Sequence, residues 1–111
     1  MPSQSEYIVV LTNLPSQDNA RFIAQRLLEE KLCACVNILS PCVSMYHWQD
    51  KIETDNEIPM FIKTKSAHFD EIQGIIKKFH PYDVPEIIAL PIMDGDPEYL
   101  NWIDTVSPSS K

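Results

Sequence analysis

A β-prone run from Ile52 to Lys65 restricts this fold more than any other feature of the chain. At about 14 residues it spans roughly 45 Å when extended. A globule of this length has a radius of gyration of about 13 Å and is only about 34 Å across. The central hairpin that contains this strand must therefore bend at Pro41 and Pro59, or project and pair with another subunit. A bare strand edge of that length is a hazard unless something covers it. Gln49-Asp50-Lys51 reads as a turn, so the run forms one arm of a hairpin whose other arm is Val43–Trp48. The residues Met60–Lys65 are its more strongly β-prone half.

The other segments fall into place around this hairpin. Tyr7–Leu11 is a continuous apolar run, expected to be a central strand buried on both faces. Asn13–Asp18, with Pro15 inside it, reads as a loop in which Ser16 or Asp18 caps a helix. Ala20, Ile23, Ala24, Leu27 and Leu28 then recur at helical spacing, and that helix ends near Lys31. Cys35–Leu39 is a strand interrupted by Pro41, which marks a bulge or an edge. Ser66 is a candidate cap for a second helix with the apolar stripe Phe69, Ile72, Ile75, Ile76 and Phe79. Ile87–Ile92 is a fourth strand. Asp96-Pro97-Glu98 opens a last helix with a cap, a proline at the first helical position and an acid in the first turn. Ser107–Lys111 reads as a frayed tail.

The order is βαββαβ plus a terminal helix. The fold class is therefore α+β, ferredoxin-like, with an antiparallel sheet, a long central hairpin and a C-terminal helix. Residues 1–111 are expected to be one domain with an ordered core from about 6 to 106.

Between the second helix and the fourth strand lies His80-Pro81-Tyr82-Asp83-Val84-Pro85-Glu86. Each proline fixes its own φ and pushes the preceding residue out of the helical region. An imidazole, a phenol and two carboxylates are thus held in a stiff frame. The bland alternative is a helix stop, with His80 as a C-terminal cation.

A net charge of −7 argues against nucleic acid and against an anionic membrane surface. Three cysteines, Cys33, Cys35 and Cys42, cannot all pair within one chain. Free thiols point to a reducing compartment, so the expected location is the cytoplasm. The segment Met1–Glu6 lacks the basic region of a secretion signal.

Five blocks resemble one family in order and spacing. They are Leu32–Ile38, Tyr46-His47-Trp48, Lys63-Thr64-Lys65, His80–Glu86 and Tyr99-Leu100-Asn101-Trp102. Together they are similar to the CutA family of divalent-cation tolerance proteins, from about Tyr7 to Trp102. The resemblance implies a ferredoxin-like subunit in a tight homotrimer, a role in tolerance of metals (copper above all), a fold relationship to the PII signalling proteins, and no agreed enzymatic activity. Copper ligation in that family is tied to a cysteine near the end of the first strand and to paired histidines before the proline-tyrosine. Those positions match Thr12 and Phe79-His80 here. Asp83 replaces a more usual glutamate, and Cys33 stands where an alanine is common.

The residues support three functional readings. The first is a non-enzymatic homotrimer that binds divalent metal, with His80 as metal ligand and Cu(II) or another divalent cation as ligand; no cofactor is required. Tyr46, Trp48, Lys63, Tyr82, Asp83, Glu86 and Trp102 would form its pocket or subunit interface. The second is a PII-like regulatory module holding a small anionic ligand between subunits. The third is an enzyme built on His80, Tyr82, Asp83 and Glu86. The chain carries no glycine-rich phosphate loop, no nucleophile elbow and no C-x-x-C or H-E-x-x-H motif, and catalysis is not expected. Cys33 and Cys35 are expected in the core, His47 and His68 at the surface or an interface, and Glu53, Asp55, Asn56 and Glu57 at a solvated hairpin end.

Overall fold

A computed structural model describes residues 5–109. Five strands and three helices follow in the order β1 (Tyr7–Leu14), α1 (Gln17–Glu29), β2 (Cys35–Ile38), β3 (Cys42–Trp48), β4 (Lys51–Lys65), α2 (Phe69–Phe79), β5 (Ile87–Pro91) and α3 (Pro97–Val106). The sheet order is β2-β4-β1-β5 with every pairing antiparallel, and β3 continues the sheet by pairing with β4 alone. This is the α+β, ferredoxin-like βαββαβ arrangement with a C-terminal helix. The interrupted strand around Pro41 supplies both β2 and β3.

Local chemistry accounts for the element ends. Ser16 caps α1, its side chain accepting from the Asn19 N–H. At the other end Lys31 takes φ 57°, the Leu32 N–H donates to the Leu27 carbonyl, and the Lys31 N–H donates to the Leu28 carbonyl. That pair of bonds closes the helix as a Schellman motif, with lysine where glycine is usual. Gln49 and Asp50, both at positive φ, form the two-residue hairpin turn between Trp48 and Lys51. Asp96 caps α3 through the Tyr99 N–H, and Pro97 occupies its first turn.

One sheet face carries the core. Val10, Leu14, Met60 and Ile62 meet Ile23 and Leu27 of α1 and Ile72 and Ile76 of α2. β1 lies between β4 and β5, yet its burial alternates instead of covering both faces. The register puts Val9 beside Lys63 and Leu90, and Leu11 beside Phe61 and Ile88, on the face away from the helices. Phe61, Ile88 and Leu90 are exposed there. The continuous apolar run that suggested two buried faces reflects a second face that α3 reaches at the Tyr7–Lys65 end through Asp104 and that stays exposed at Phe61, Ile88 and Leu90.

Three other expectations are corrected. Asn13 and Leu14 extend β1 and do not begin the loop. Ser66 caps no helix: Ser66–His68 form a single 3-10 turn without a side-chain cap, and α2 begins after it. His68 and Ser107 are buried, not superficial. The His68 ring donates from Nε2 to the Ser107 carbonyl at 2.9 Å, fastening the end of α3 to the 3-10 turn. Of the expected tail, Ser110 and Lys111 lie outside the described residues, as do Met1–Gln4.

Thr12 is 1% exposed, and its hydroxyl has no partner among the described residues. A buried hydroxyl without a hydrogen bond costs about 1–3 kcal/mol, whereas an apolar group of the same shape costs nothing in desolvation. Thr12→Val is therefore expected to raise stability by about 1 kcal/mol. Urea unfolding checks this, and a lower midpoint in the variant would show that the hydroxyl is satisfied.

Candidate functional site

The outer half of β4 pairs with β3 so that Tyr46 faces Glu53, Ser44 faces Asp55 and Cys42 faces Glu57. Side chains of paired residues share a face, so the hairpin presents Tyr46, Trp48, Glu53, Asp55 and Glu57 together. The connector 81–86 stands opposite. Between them opens a cleft of about 930 Å³, lined by Tyr46, Trp48, Glu53, Glu57, Tyr82, Asp83 and Glu86 among others. Five of the eight residues expected at a site or interface thus meet here: Tyr46, Trp48, Tyr82, Asp83 and Glu86.

The connector is fastened at three points. The Tyr82 N–H donates to His80 Nδ1 at 3.1 Å, which leaves the ring proton on Nε2. Nε2 then donates to the Asn13 carbonyl at 2.7 Å. The Asn13 amide donates to Glu86 Oε1 at 2.8 Å. His80 is buried behind the cleft wall, its ring tilted against that of Tyr82 with centroids 4.6 Å apart. A metal at Nδ1 would have to displace the Tyr82 N–H. Among the described residues no group of three or more His, Cys, Asp or Glu side chains converges as a metal site would require. One chain alone therefore does not supply a complete ligand set.

Both cleft phenols donate to carboxylates: Tyr82 to Glu57 Oε2 at 3.0 Å, and Tyr46 to Asp55. The Asp55 hydrogen bond chiefly pushes Tyr46 from 10.0 up to about 12. Burial, then the Glu57 hydrogen bond, does the same for Tyr82. Tyr7 reaches about 12 through its bond to Asp104, which also pairs with Lys65 at 3.2 Å. A phenol that holds its proton more tightly when folded stabilises the fold below pH 10 and loses that contribution as pH climbs towards 12. An absorbance titration of the folded protein is accordingly expected to show tyrosinate appearing well above the denatured chain's curve. Coincident curves would mean that these phenol–carboxylate bonds do not form.

Lys63 and Trp102 lie outside the cleft. Lys63 donates to Asn37 on the open sheet face, and Trp102 stacks against Tyr99 on α3 with centroids 5.6 Å apart. Burial pushes the Cys33 thiol up to about 12, which makes it a core group and a poor thiolate donor. Glu57 is the residue that sequence reasoning misplaced. It is 8% exposed, not part of a solvated hairpin end. Its signal was its place on the paired face, next to Pro59 where the hairpin enters the domain.

Residues 8–106 match the model of the family described as CutA1 divalent ion tolerance protein. The divalent-cation tolerance protein CutA of Thermus thermophilus is 46% identical over 95 residues, which cover 86% of this chain and 92% of the relative. Among solved structures, CutA1 from Shewanella sp. SIB1 superposes with a TM-score of 0.93 at 40% identity, covering 96% of this chain and all of the other. The periplasmic divalent cation tolerance protein CutA from Archaeoglobus fulgidus gives 0.89 at 42% identity, covering 91% of this chain and 98% of the other.

Proposed function

Because the chain belongs to the CutA1 divalent ion tolerance family, we propose that it acts as a homotrimer that binds divalent cations, copper first, at sites completed between subunits. The observation that carries this reading is the open sheet face. Val9, Leu11, Phe61, Ile88 and Leu90 form one apolar surface across β4, β1 and β5, with Phe61, Ile88 and Leu90 exposed and α3 reaching that face at its Tyr7–Lys65 end through Asp104. Contiguous apolar surfaces of this kind mark association sites. Val43, Met45 and Ile52 add exposed apolar surface on the projecting hairpin. The chain measures 44 × 33 × 25 Å, with a radius of gyration of 14.7 Å against about 13 Å for a compact domain of its length. Three copies that turn these surfaces towards a common three-fold axis cover both.

Association also addresses the incomplete ligand set. His80 offers the imidazole at the connector, at the expense of its bond from Tyr82, and Asp83 and Glu86 of a neighbouring subunit would add carboxylates. Such mixed ligation binds Cu(II) most tightly among the divalent ions. The protein works by binding, without turnover. Among the described residues an anionic ligand in the cleft finds carboxylates and no lysine or arginine on the walls, which disfavours the regulatory alternative there. Three free thiols are consistent with the cytoplasm, and among the described residues no helix is long and apolar enough to cross a membrane.

Sedimentation and calorimetry with Cu(II), Zn(II) and Mg(II) test the proposal together. A trimer at micromolar concentration, with copper bound most tightly and fewer ions bound once it is diluted to monomers, is expected. A monomer, or a trimer indifferent to all three ions, would overturn it.

A further inference from the structure

Among the described residues Glu57 is a buried acid without a counter-charge. It is nine-tenths buried and lines the cleft, and its hydrogen bond is from the neutral Tyr82 phenol. The ion pairs among the described residues are Arg26–Glu30 and Lys65–Asp104, and neither reaches it. Acidic side chains are almost never buried unless paired, because removing the charge from water is costly. The cleft in front of it adds Glu53, Asp83 and Glu86 and no basic side chain other than His47. A cation is the missing component.

The walls specify what kind of cation. Tyr46, Trp48 and Tyr82 present ring surface, and Val84 presents aliphatic surface. Ring faces attract ammonium groups and pack against carbon chains. Two phenol hydroxyls are already committed to Asp55 and Glu57, so they do not compete for the guest. A bare metal ion would need three or more convergent ligands, which the described residues do not assemble. The volume of about 930 Å³ suits a small organic molecule. We propose that this cleft binds a protonated aliphatic amine, with the ammonium on Glu57 and the carbon chain between Trp48, Tyr46 and Tyr82. The site shares Asp83 and Glu86 with the divalent-cation reading but rests on Glu57, which that reading does not use.

The test uses Trp48 as the reporter in a Trp102→Phe background, titrated with n-hexylammonium chloride, with n-hexanol and sodium chloride as controls. Hexylammonium is expected to shift Trp48 emission saturably, and hexanol is not. Glu57→Gln keeps an acceptor for the Tyr82 hydroxyl and so preserves the wall, which a thermal melt verifies. It is expected to weaken hexylammonium by about tenfold or more, the loss of one charge-assisted hydrogen bond. Equal binding of hexanol, or of hexylammonium to Glu57→Gln, would reduce the effect to apolar adsorption and overturn the proposal. Absence of binding, with an oligomer that dissociates more readily in Glu57→Gln, would also overturn it by assigning the missing cation to a basic residue of a second copy.

Discussion

Glutamate at both Phe61 and Leu90 is expected to leave the protein monomeric. Phe61 sits beside Leu11 on one side of β1, and Leu90 sits beside Val9 on the other, so the two substitutions place charge across the centre of the open face. Burying either carboxylate unpaired costs several kcal/mol. A loss of about 4 kcal/mol is roughly a thousandfold in association constant, and two sites per subunit exceed that. The helix-facing core, from Val10 and Ile62 to Ile72 and Ile76, is untouched, so the chain should keep its circular dichroism while sedimenting as a single subunit. The cleft lies within one chain and should persist, whereas cation sites that need a neighbour should vanish. A double variant that still sediments as an oligomer would show that subunits meet elsewhere, with the hairpin surface of Val43, Met45 and Ile52 the next to examine.

The strand and helix order was readable because periodicity and punctuation are local. The Ser16 and Asp96 caps, the turn after Trp48 and the break at Pro41 all depend on residues within a few positions of one another. The stiffness of the His80–Glu86 connector was equally plain, since two prolines fix it whatever surrounds it. Burial of single polar residues was not readable. His68 is buried because α3 returns to lie over the 3-10 turn, and Ser107 is held there by the same contact. Glu57 is buried because Tyr82, 25 positions away, closes over it. The separation of Lys63 and Trp102 from the cleft was hidden for a related reason. Residues that share a motif block share a neighbourhood only after strand register decides which face they occupy, and Lys63 alternates onto the open face beside Val9.

His80→Ala is expected to cost about 2–4 kcal/mol of stability. The imidazole bridges two backbone groups, the Asn13 carbonyl at 2.7 Å and the Tyr82 N–H at 3.1 Å. Alanine removes both bonds, leaves a donor and an acceptor behind, and opens a ring-sized void in a buried place. The connector should then move away from β1, taking Tyr82 from Glu57 and Glu86 from Asn13, so the Tyr82 phenol should titrate closer to 10.0 than in the parent. Copper affinity, measured on protein still folded at low temperature, is the separate readout and is expected to fall as well. The two quantities divide the roles of the ring. Lower stability with unchanged copper affinity would make His80 a brace and shift the ligands to carboxylates. Lost copper affinity at full stability would mean that the two backbone bonds contribute nothing and that His80 does not brace the connector.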